Sequence, residues 1–438
     1  MVIRNSINYS IIDVTKEMLT RCMQQLARSV SSRMASTCPW KTMEYYYNYD
    51  FCNKMEFIDH KIRFPLFRVL DVQGKLLAPE YDTLDKEFLL NALTIMITSR
   101  EMDTVYANAQ RQNRISFYIT GTYEEATAMG AISATKPTDA LFFQYREFPM
   151  LMSRGMTTLE YLHNIKGNRE DKMLGRGMPL VNANVEQNIF PVSAPLGTRN
   201  PHAAGAGYFF RTQKQDRIAI CTFGEGAASE GDVHASLNFA ATLGSQTLFL
   251  CRNNGYAIST FREDQYAGDG VAPRGIGYGI PAIKVDGNDL LAVYHAVKKA
   301  REMIMERNGP VLVEAYTYRG GDHTSSDSAA SYRTPDRMGP VLKYFDSIGD
   351  PIVRLANFMK NKGYLQSAED TIKAIGAKVR TECLDNLKKI DNIKMPYYNL
   401  MFDDVYSQMP WNLKEQKEEF DEHMKKHPGV YPVHDFPQ

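Results

Sequence analysis

Residues 217–223 and 247–251 are two short, nearly continuous apolar runs, and runs of that length and character suit strands buried on both faces. Between them Val233, Leu237, Ala240, Ala241 and Leu243 recur at helical spacing, with Gly244 as a suitable C-terminal stop. The pattern predicts a strand-helix-strand unit, and its parallel strands place both following loops at one edge of a sheet. Those loops hold Gly224-Glu225-Gly226 and Arg252-Asn253-Asn254-Gly255-Tyr256.

The loop chemistry is that of a diphosphate held through a divalent cation. Gly224 and Gly226 let the backbone approach a ligand, and a helix beginning near Ser229 offers unpaired amide hydrogens to phosphate oxygens. Glu225 beside phosphate requires a cation between them. Asn254 supplies a neutral hard oxygen; a carboxylate, an amide oxygen, a backbone carbonyl, two phosphate oxygens and a water complete a six-coordinate Mg²⁺ shell. Arg252 then neutralises remaining diphosphate charge. Each of these residues alone fits an ordinary turn equally well, whereas the combination within one unit is specific. A dinucleotide fingerprint fits less well, because no acidic residue closes a second strand where a ribose needs one.

The chain has 438 residues, enough for a large core or for one domain with extensions. Lys plus Arg and Asp plus Glu number 51 each, so no global charge argues for nucleic acid or a membrane surface as partner. No apolar run reaches transmembrane length. Cys22, Cys38, Cys52, Cys221, Cys251 and Cys383 lie far apart without Cys-x-x-Cys spacing, which reads as a reducing compartment with neither zinc site nor disulfide frame. From 18 to 41 there is no acidic residue, while Arg21, Arg28, Arg33 and Lys41 alternate with serines and apolar side chains. That composition suits a mitochondrial transit peptide. Asp13 and Glu17 break the pattern upstream, so either Met18 is the effective start or the targeting is atypical.

Residues 1–53 are expected to be leader and arm, 54–340 an α/β domain that opens with an extended segment, and 341–438 a helical extension packing on the same subunit or its partners. The stretch 86–111 has helical periodicity through Phe88, Leu89, Leu93, Met96, Met102 and Tyr106. Asn288 is the expected N-cap of a helix carrying Leu290, Val293, Tyr294, Val297 and Ala300, ended by Asn308-Gly309-Pro310. A buried strand at 311–318 then delivers a Gly-, Ser- and Asp-rich loop containing His323, the kind of place where α/β proteins put chemistry. Tyr145-Arg146 follow another apolar run at 140–143. Read singly, His323 fits a solvated side chain and Arg146 a surface ion pair equally well.

The block from Gly224 to Asn254 resembles the thiamin diphosphate motif, with Glu225 in the acidic place. The strings Gly-Glu-Gly-Ala-Ala-Ser-Glu-Gly-Asp at 224–232, Leu-Asn-Phe-Ala-Ala-Thr at 237–242 and Arg-Asn-Asn-Gly-Tyr-Ala-Ile-Ser-Thr at 252–260 are similar to alpha subunits of branched-chain 2-oxo acid dehydrogenases. The similarity runs from about Met55 to the C-terminus and includes 114–118, 144–147, 285–289 and 403–406. It implies a thiamin diphosphate-binding α/β fold, a mainly parallel sheet with helices on both faces plus the helical C-terminal extension. It also implies an oxidoreductase component that decarboxylates branched-chain 2-oxo acids and passes the acyl group to the lipoyl group of an acyltransferase core. Carried over by position, Glu225, Asn254 and the backbone oxygen of Tyr256 hold Mg²⁺. Tyr145, Arg146, Ala194, Leu196, Gly226, Ala227, Arg252 and His323 surround the cofactor, and His323 is the catalytic candidate, a donor or acid at neutral pH. The acid that activates the aminopyrimidine comes from a beta subunit in this family, so an α₂β₂ heterotetramer in the mitochondrial matrix is expected. Pyruvate dehydrogenase alpha subunits share the cofactor motif, but the strings at 224–232 and 254–260 are closer to the branched-chain type.

Three departures stand out. The run 193–199 corresponds to one that binds cofactor and a structural potassium ion, here through Ser193, Pro195 and Thr198, but Arg199 brings a second cation to that place and the two repel. The expectation is that Arg199 replaces potassium as a built-in charge. Asn182 stands where the family has a His. Asp322 replaces the His before His323, adding negative charge that raises an imidazole pKa or weakens phosphate affinity. The family's two inhibitory phosphoserines fall on Thr324 and Thr334, whose hydroxyls keep a regulatory kinase and phosphatase in view, and a phosphate at Thr324 repels those of the cofactor. The departures motivate a rival reading, a catalytically impaired paralogue with an assembly or regulatory role; intact Glu225, Asn254, Arg146, Arg252 and His323 argue against it.

Overall fold

The computed structural model describes residues 54, 55, 57, 62–403 and 405–431; the expected leader, with Cys22, Cys38 and Cys52, lies outside them. Nine strands occur among the described residues: β1 (Leu66–Phe67), β2 (Ala140–Phe142), β3 (Ile189–Phe190), β4 (Ala219–Gly224), β5 (Thr247–Asn253), β6 (Tyr256–Ala257), β7 (Thr260–Phe261), β8 (Ala282–Asp286) and β9 (Val311–Tyr316). Seven pair in parallel in the order β1-β8-β9-β5-β4-β2-β3, and β6 and β7 form an antiparallel hairpin.

The apolar runs look continuous because successive side chains enter two different cores. On β4, Ile220 faces one apolar cluster while Cys221 and Phe223 face the other. On β5, Leu248 and Leu250 oppose Phe249 and Cys251 in the same way. The helices Lys86–Arg111 and Leu290–Arg307 cover the first face, and Arg199–Thr212 and Gly231–Leu243 the second. Each Leu or Phe removed from water in these layers contributes roughly 1.5–3 kcal/mol. Cys221, Cys251 and Cys383 are buried free thiols. No helix among the described residues is long and apolar enough to cross a membrane.

Helix boundaries follow local capping. The helix Lys86–Arg111 starts where Asp85 accepts from Phe88 N at 2.8 Å. Gly244 ends Gly231–Leu243 in the left-handed conformation at φ 63°, and a Cβ there would meet Asn308 O at 2.7 Å. The expected cap at Asn288 is corrected to Asp289, whose Oδ1 accepts from Leu291 N and Ala292 N. Its Oδ2 also accepts from Val69 N and Leu70 N, anchoring the segment after β1, so the acid suits this position better than the amide. Asn288 instead donates to Tyr123 O at 3.0 Å. After β9 the chain is mainly helical, at Pro335–Tyr344, Pro351–Asn361, Ala368–Ile390 and Trp411–Lys426. Leu355, Met359, Cys383 and Leu387 join the first core, and Arg354 bonds Asp286 at 2.9 Å.

This topology creates the crevice. The helix Phe148–Ser153 after β2 packs into the first core, whereas Gly231–Leu243 after the neighbouring β4 packs into the second. Adjacent parallel strands whose helices diverge to opposite faces leave a gap at their carboxyl ends, where α/β folds bind ligands. Gly224 pairs with Arg252, and Arg252 with Ala315, so both motif loops and the loop after β9 emerge at the same level.

Candidate functional site

A cavity of about 190 Å³ lies at that crevice. Tyr145 and Arg146 reach it from the loop after β2, Glu225, Gly226 and Ala227 from the loop after β4, and Arg252, Asn254 and Tyr256 from the end of β5 and beyond. Leu196, Glu230, His323 and Arg319 also line it. Ala194 does not reach the cavity and is exposed. Ser193, Pro195 and Thr198 also stay outside its lining, and Thr198 Oγ1 donates to Pro195 O at 3.0 Å. Arg199 opens the helix Arg199–Thr212 and its Nη1 donates to His202 Nδ1 at 3.2 Å.

Gly226 is required for a reason other than ligand approach alone: a Cβ there would lie 2.5 Å from Ala257 Cβ on the β6–β7 hairpin. At Gly224 the nearest atom to such a Cβ is 3.7 Å away, so close packing does not demand glycine. The helix expected near Ser229 starts at Gly231, after a 3₁₀ turn at Ala227–Ser229.

Glu225 is only 1% exposed. Its Oε2 accepts from Asn254 N at 3.2 Å, while Oε1 is buried without a hydrogen-bond partner. Burial, with some repulsion from Glu124, pushes its pKa up to about 7. A buried carboxylate with a bare oxygen is costly unless something cationic meets it. Asn254 Oδ1, on the neighbouring loop, accepts from Tyr256 N at a long 3.3 Å. Two hard oxygens at adjacent strand ends, one poorly satisfied and one bare, fit a divalent cation.

Arg252 lines the cavity and also meets two acids. Its guanidinium donates to Glu124 and to Gln144 Oε1, and lies 2.9 Å from Glu147 Oε1. Its charge thus lies beside two buried carboxylates, which fix the guanidinium at the cavity wall. Glu147 also accepts from Thr222 Oγ1 at 2.7 Å and from Arg146 N at 2.8 Å. Sequence reasoning missed Glu124, Glu147 and Arg319. Glu147 and Arg319 each follow an apolar strand run by a few residues, which was the available signal; Glu124, just ahead of the helix Glu125–Ser133, had none.

Arg146 and Arg319 are the cations whose charge is left for a ligand, since neither pairs with a carboxylate among the described residues. Arg146 Nη2 donates to His323 Nδ1 at 3.1 Å and to His323 O at 2.7 Å. Arg319, 1% exposed, donates to Ile258 O and Tyr332 OH, both at 2.8 Å, and more weakly to His323 Nδ1 and Tyr256 O at 3.4 Å. Burial first, then Arg146 and Arg319, push the His323 pKa down to about 4. The ring is therefore neutral at physiological pH. With Nδ1 accepting from two arginines, the hydrogen resides on Nε2, which is left as a donor. The edge of the Tyr145–His323 ring pair fixes the imidazole further, at 6.2 Å between centroids.

The expected rise in the His323 pKa from Asp322 is corrected by this geometry. Asp322 accepts from Ala329 N at 2.7 Å, sits 3.8 Å from Arg111, and lines a separate cavity of about 360 Å³ together with Thr324. Asp327 is the carboxylate that organises the loop, accepting from His323 N at 2.8 Å and from Tyr332 OH at 2.6 Å. Thr324 Oγ1 accepts from Ser326 N at 3.2 Å. Thr334 is exposed at the start of Pro335–Tyr344 and makes no side-chain capping bond. Asn182 is buried and donates to Leu180 O at 3.3 Å.

Residues 93–398 match the family described as dehydrogenase E1 component. The chain is 41% identical over 390 residues to the human 2-oxoisovalerate dehydrogenase subunit alpha, mitochondrial, covering 88% of this chain and 86% of that one. It is 40% identical over 391 residues to the subunit of the same name in Dictyostelium discoideum, covering 89% and 87%. To 2-oxoisovalerate dehydrogenase subunit alpha 2, mitochondrial, of Arabidopsis thaliana it is 38% identical over 385 residues, covering 87% and 80%. A parallel α/β sheet with an acid-amide pair at its switch point, and likeness sustained over most of its length, place the chain in the dehydrogenase E1 component family, whose members depend on thiamin diphosphate.

Proposed function

We propose that this chain is the alpha subunit of the mitochondrial E1 component that decarboxylates 2-oxoisovalerate and related branched-chain 2-oxo acids and transfers the acyl group to a lipoyl group on an acyltransferase core. The observation that carries this reading is buried Glu225, with a bare carboxylate oxygen beside Asn254 at the switch point of the sheet. When bound, thiamin diphosphate supplies the electron sink that lets a 2-oxo acid lose carbon dioxide. Glu225, Asn254 and the carbonyl of Tyr256 would hold Mg²⁺, and Arg146 with the amides of Gly226 and Ala227 would receive the diphosphate. Leu196 and Tyr145 narrow the cavity and help exclude water. Neutral His323 donates from Nε2 to the group being transferred.

An alpha subunit of this kind works with a beta subunit and an acyltransferase core; the α₂β₂ assembly, with the beta subunit supplying the acid for the aminopyrimidine, belongs to the proposal. Within the subunit, 54–340 carries the cofactor, 341–438 extends it, and 1–53 serves as transit peptide and arm. Arg199 takes the place of potassium near Ser193, Pro195 and Thr198. Reconstituted α₂β₂ should bind thiamin diphosphate only with Mg²⁺, equally well with and without potassium, and should release carbon dioxide from 2-oxoisovalerate in preference to pyruvate. Preference for pyruvate would reassign the substrate, binding without turnover would favour an impaired paralogue, and potassium-dependent affinity would remove the role given to Arg199.

Thr324 and Thr334 are the proposed targets of a regulatory kinase and phosphatase. Dianionic phosphate at Thr324 adjoins His323 and introduces repulsion against the cofactor's phosphates. Incubation with a purified kinase of branched-chain alpha subunits should therefore add phosphate at Thr324 and abolish acyl transfer; mass spectra showing Thr324 unmodified would end the idea.

A further inference from the structure

We infer that Glu124 is a positioning residue for metal binding: it holds the side-chain amide of Asn254 in the one orientation that leaves oxygen, not nitrogen, available to a cation. The inference rests on reading Glu225 and Asn254 as the metal pair and adds a residue from another part of the chain. Glu124 is 2% exposed, immediately before the helix Glu125–Ser133. Its Oε1 accepts from Asn254 Nδ2 at 3.1 Å, and its Oε2 accepts from Arg252 Nη1. Both site residues at the end of β5 are therefore held by one carboxylate that lies 130 positions from Asn254.

The argument is one of donor and acceptor inventory. An ionised carboxylate only accepts, so the group that Asn254 turns toward it must be NH₂. The oxygen and nitrogen of an amide diverge, which turns Oδ1 away from Glu124, toward Tyr256 N at 3.3 Å. A hard cation needs that oxygen and is repelled by the amide hydrogens. The same logic explains an amide rather than an acid at 254: an aspartate there would face Glu124 carboxylate to carboxylate. Arg252 locks the arrangement from the other side, because its guanidinium donates to the second oxygen and fixes Glu124 between two donors.

Glu124→Gln changes one oxygen into NH₂. Arg252 competes for the remaining oxygen, leaving the new NH₂ facing Asn254, and the Asn254 amide then inverts to offer its own oxygen. The metal loses its ligand although Asn254 is untouched. Combining Glu124→Gln with Asn254→Asp supplies a ligand that has oxygen on both sides and no longer meets a facing carboxylate.

The test is the Mg²⁺ concentration that half-saturates thiamin diphosphate uptake by chelator-treated α₂β₂, followed by circular dichroism at fixed cofactor. Glu124→Gln should raise it about 10–100-fold, and the double variant should return to within a few-fold of wild type. Asn254→Asp alone should bind Mg²⁺ more weakly than wild type. A purely structural role for Glu124 predicts a lower Tm with no rescue by Asn254→Asp, and that result overturns the inference, as does an unchanged half-saturation in Glu124→Gln. If Glu124→Gln does not assemble, Asn254→Asp alone decides: tighter Mg²⁺ binding overturns the proposal and weaker binding supports it. Wild type taking up cofactor without Mg²⁺ is a different outcome, which removes the metal-pair reading itself.

Discussion

Glu225→Gln is expected to lower the metal-dependent affinity for thiamin diphosphate about a hundredfold or more, and at the same time to stabilise the protein in the absence of cofactor. The first effect follows from removing the charged ligand of the proposed ion, since cation affinity scales with ligand charge. The second follows from burial. Glu225 titrates at about 7 in the folded protein, whereas glutamate in an unfolded chain titrates near 4.3. Below about pH 4 both states are protonated and burial carries no electrostatic penalty. As pH rises from there to about 7 the unfolded chain releases its proton first, so stability falls with pH, and above 7 the penalty is constant, on the order of 4 kcal/mol. Glutamine avoids that penalty. Thermal unfolding of apo α₂β₂ should show the variant melting a few degrees higher at pH 8, with the difference fading toward pH 5. Saturating Mg²⁺ and cofactor should reverse the order. A variant that is less stable than wild type at pH 8 without cofactor would mean that Glu225 has a partner after all.

His323→Ala should lower the rate of acyl transfer by about 10²–10⁴-fold while leaving cofactor affinity within a few-fold. The imidazole does not grip the diphosphate in this account; Arg146 does, and the ring donates from Nε2 because Nδ1 is occupied by Arg146 and Arg319. A pKa of about 4 also predicts the pH profile. The ring loses its charge as pH rises through about 4, so between pH 5 and 8 it stays neutral and contributes no limb to the rate. Comparing rates of lipoyl acylation across that range, in wild type and His323→Ala, checks both points. A limb near pH 6.5 that vanishes in the variant would show that the ring titrates normally and that the arginines do not control it.

How far the site was legible in the sequence depends on the range of each interaction. The strand-helix-strand unit was readable because two-faced burial leaves unbroken apolar runs, as at Ala219–Gly224 and Thr247–Asn253. The helix Lys86–Arg111 matched its expected limits because the signals that define it are local, an aspartate cap and apolar spacing. Convergence of Tyr145, Arg146, Glu225, Asn254 and His323 on one cavity followed from loops at strand ends. Partner choice across the fold was not legible. Asp322 adjoins His323 in sequence, yet it bonds Ala329 N, while Arg146, 177 positions away, controls the ring. The acid that meets Arg252 was not legible either, because nothing nearby in sequence announces Glu124, 128 positions before it. Choosing Asn288 over Asp289 as the cap failed for the same reason, since the bonds to Val69 N and Leu70 N that favour the acid come from more than 200 positions away.

The central claim is that a divalent cation bridges Glu225 and Asn254 to the cofactor's diphosphate. Manganese substituted for magnesium in crystals of the α₂β₂ enzyme with thiamin diphosphate would locate that ion by anomalous scattering. The account predicts one strong peak about 2.0–2.3 Å from Glu225 Oε1 and Asn254 Oδ1. A peak coordinated by other residues, or a bound diphosphate with these two side chains turned away from it, would contradict it.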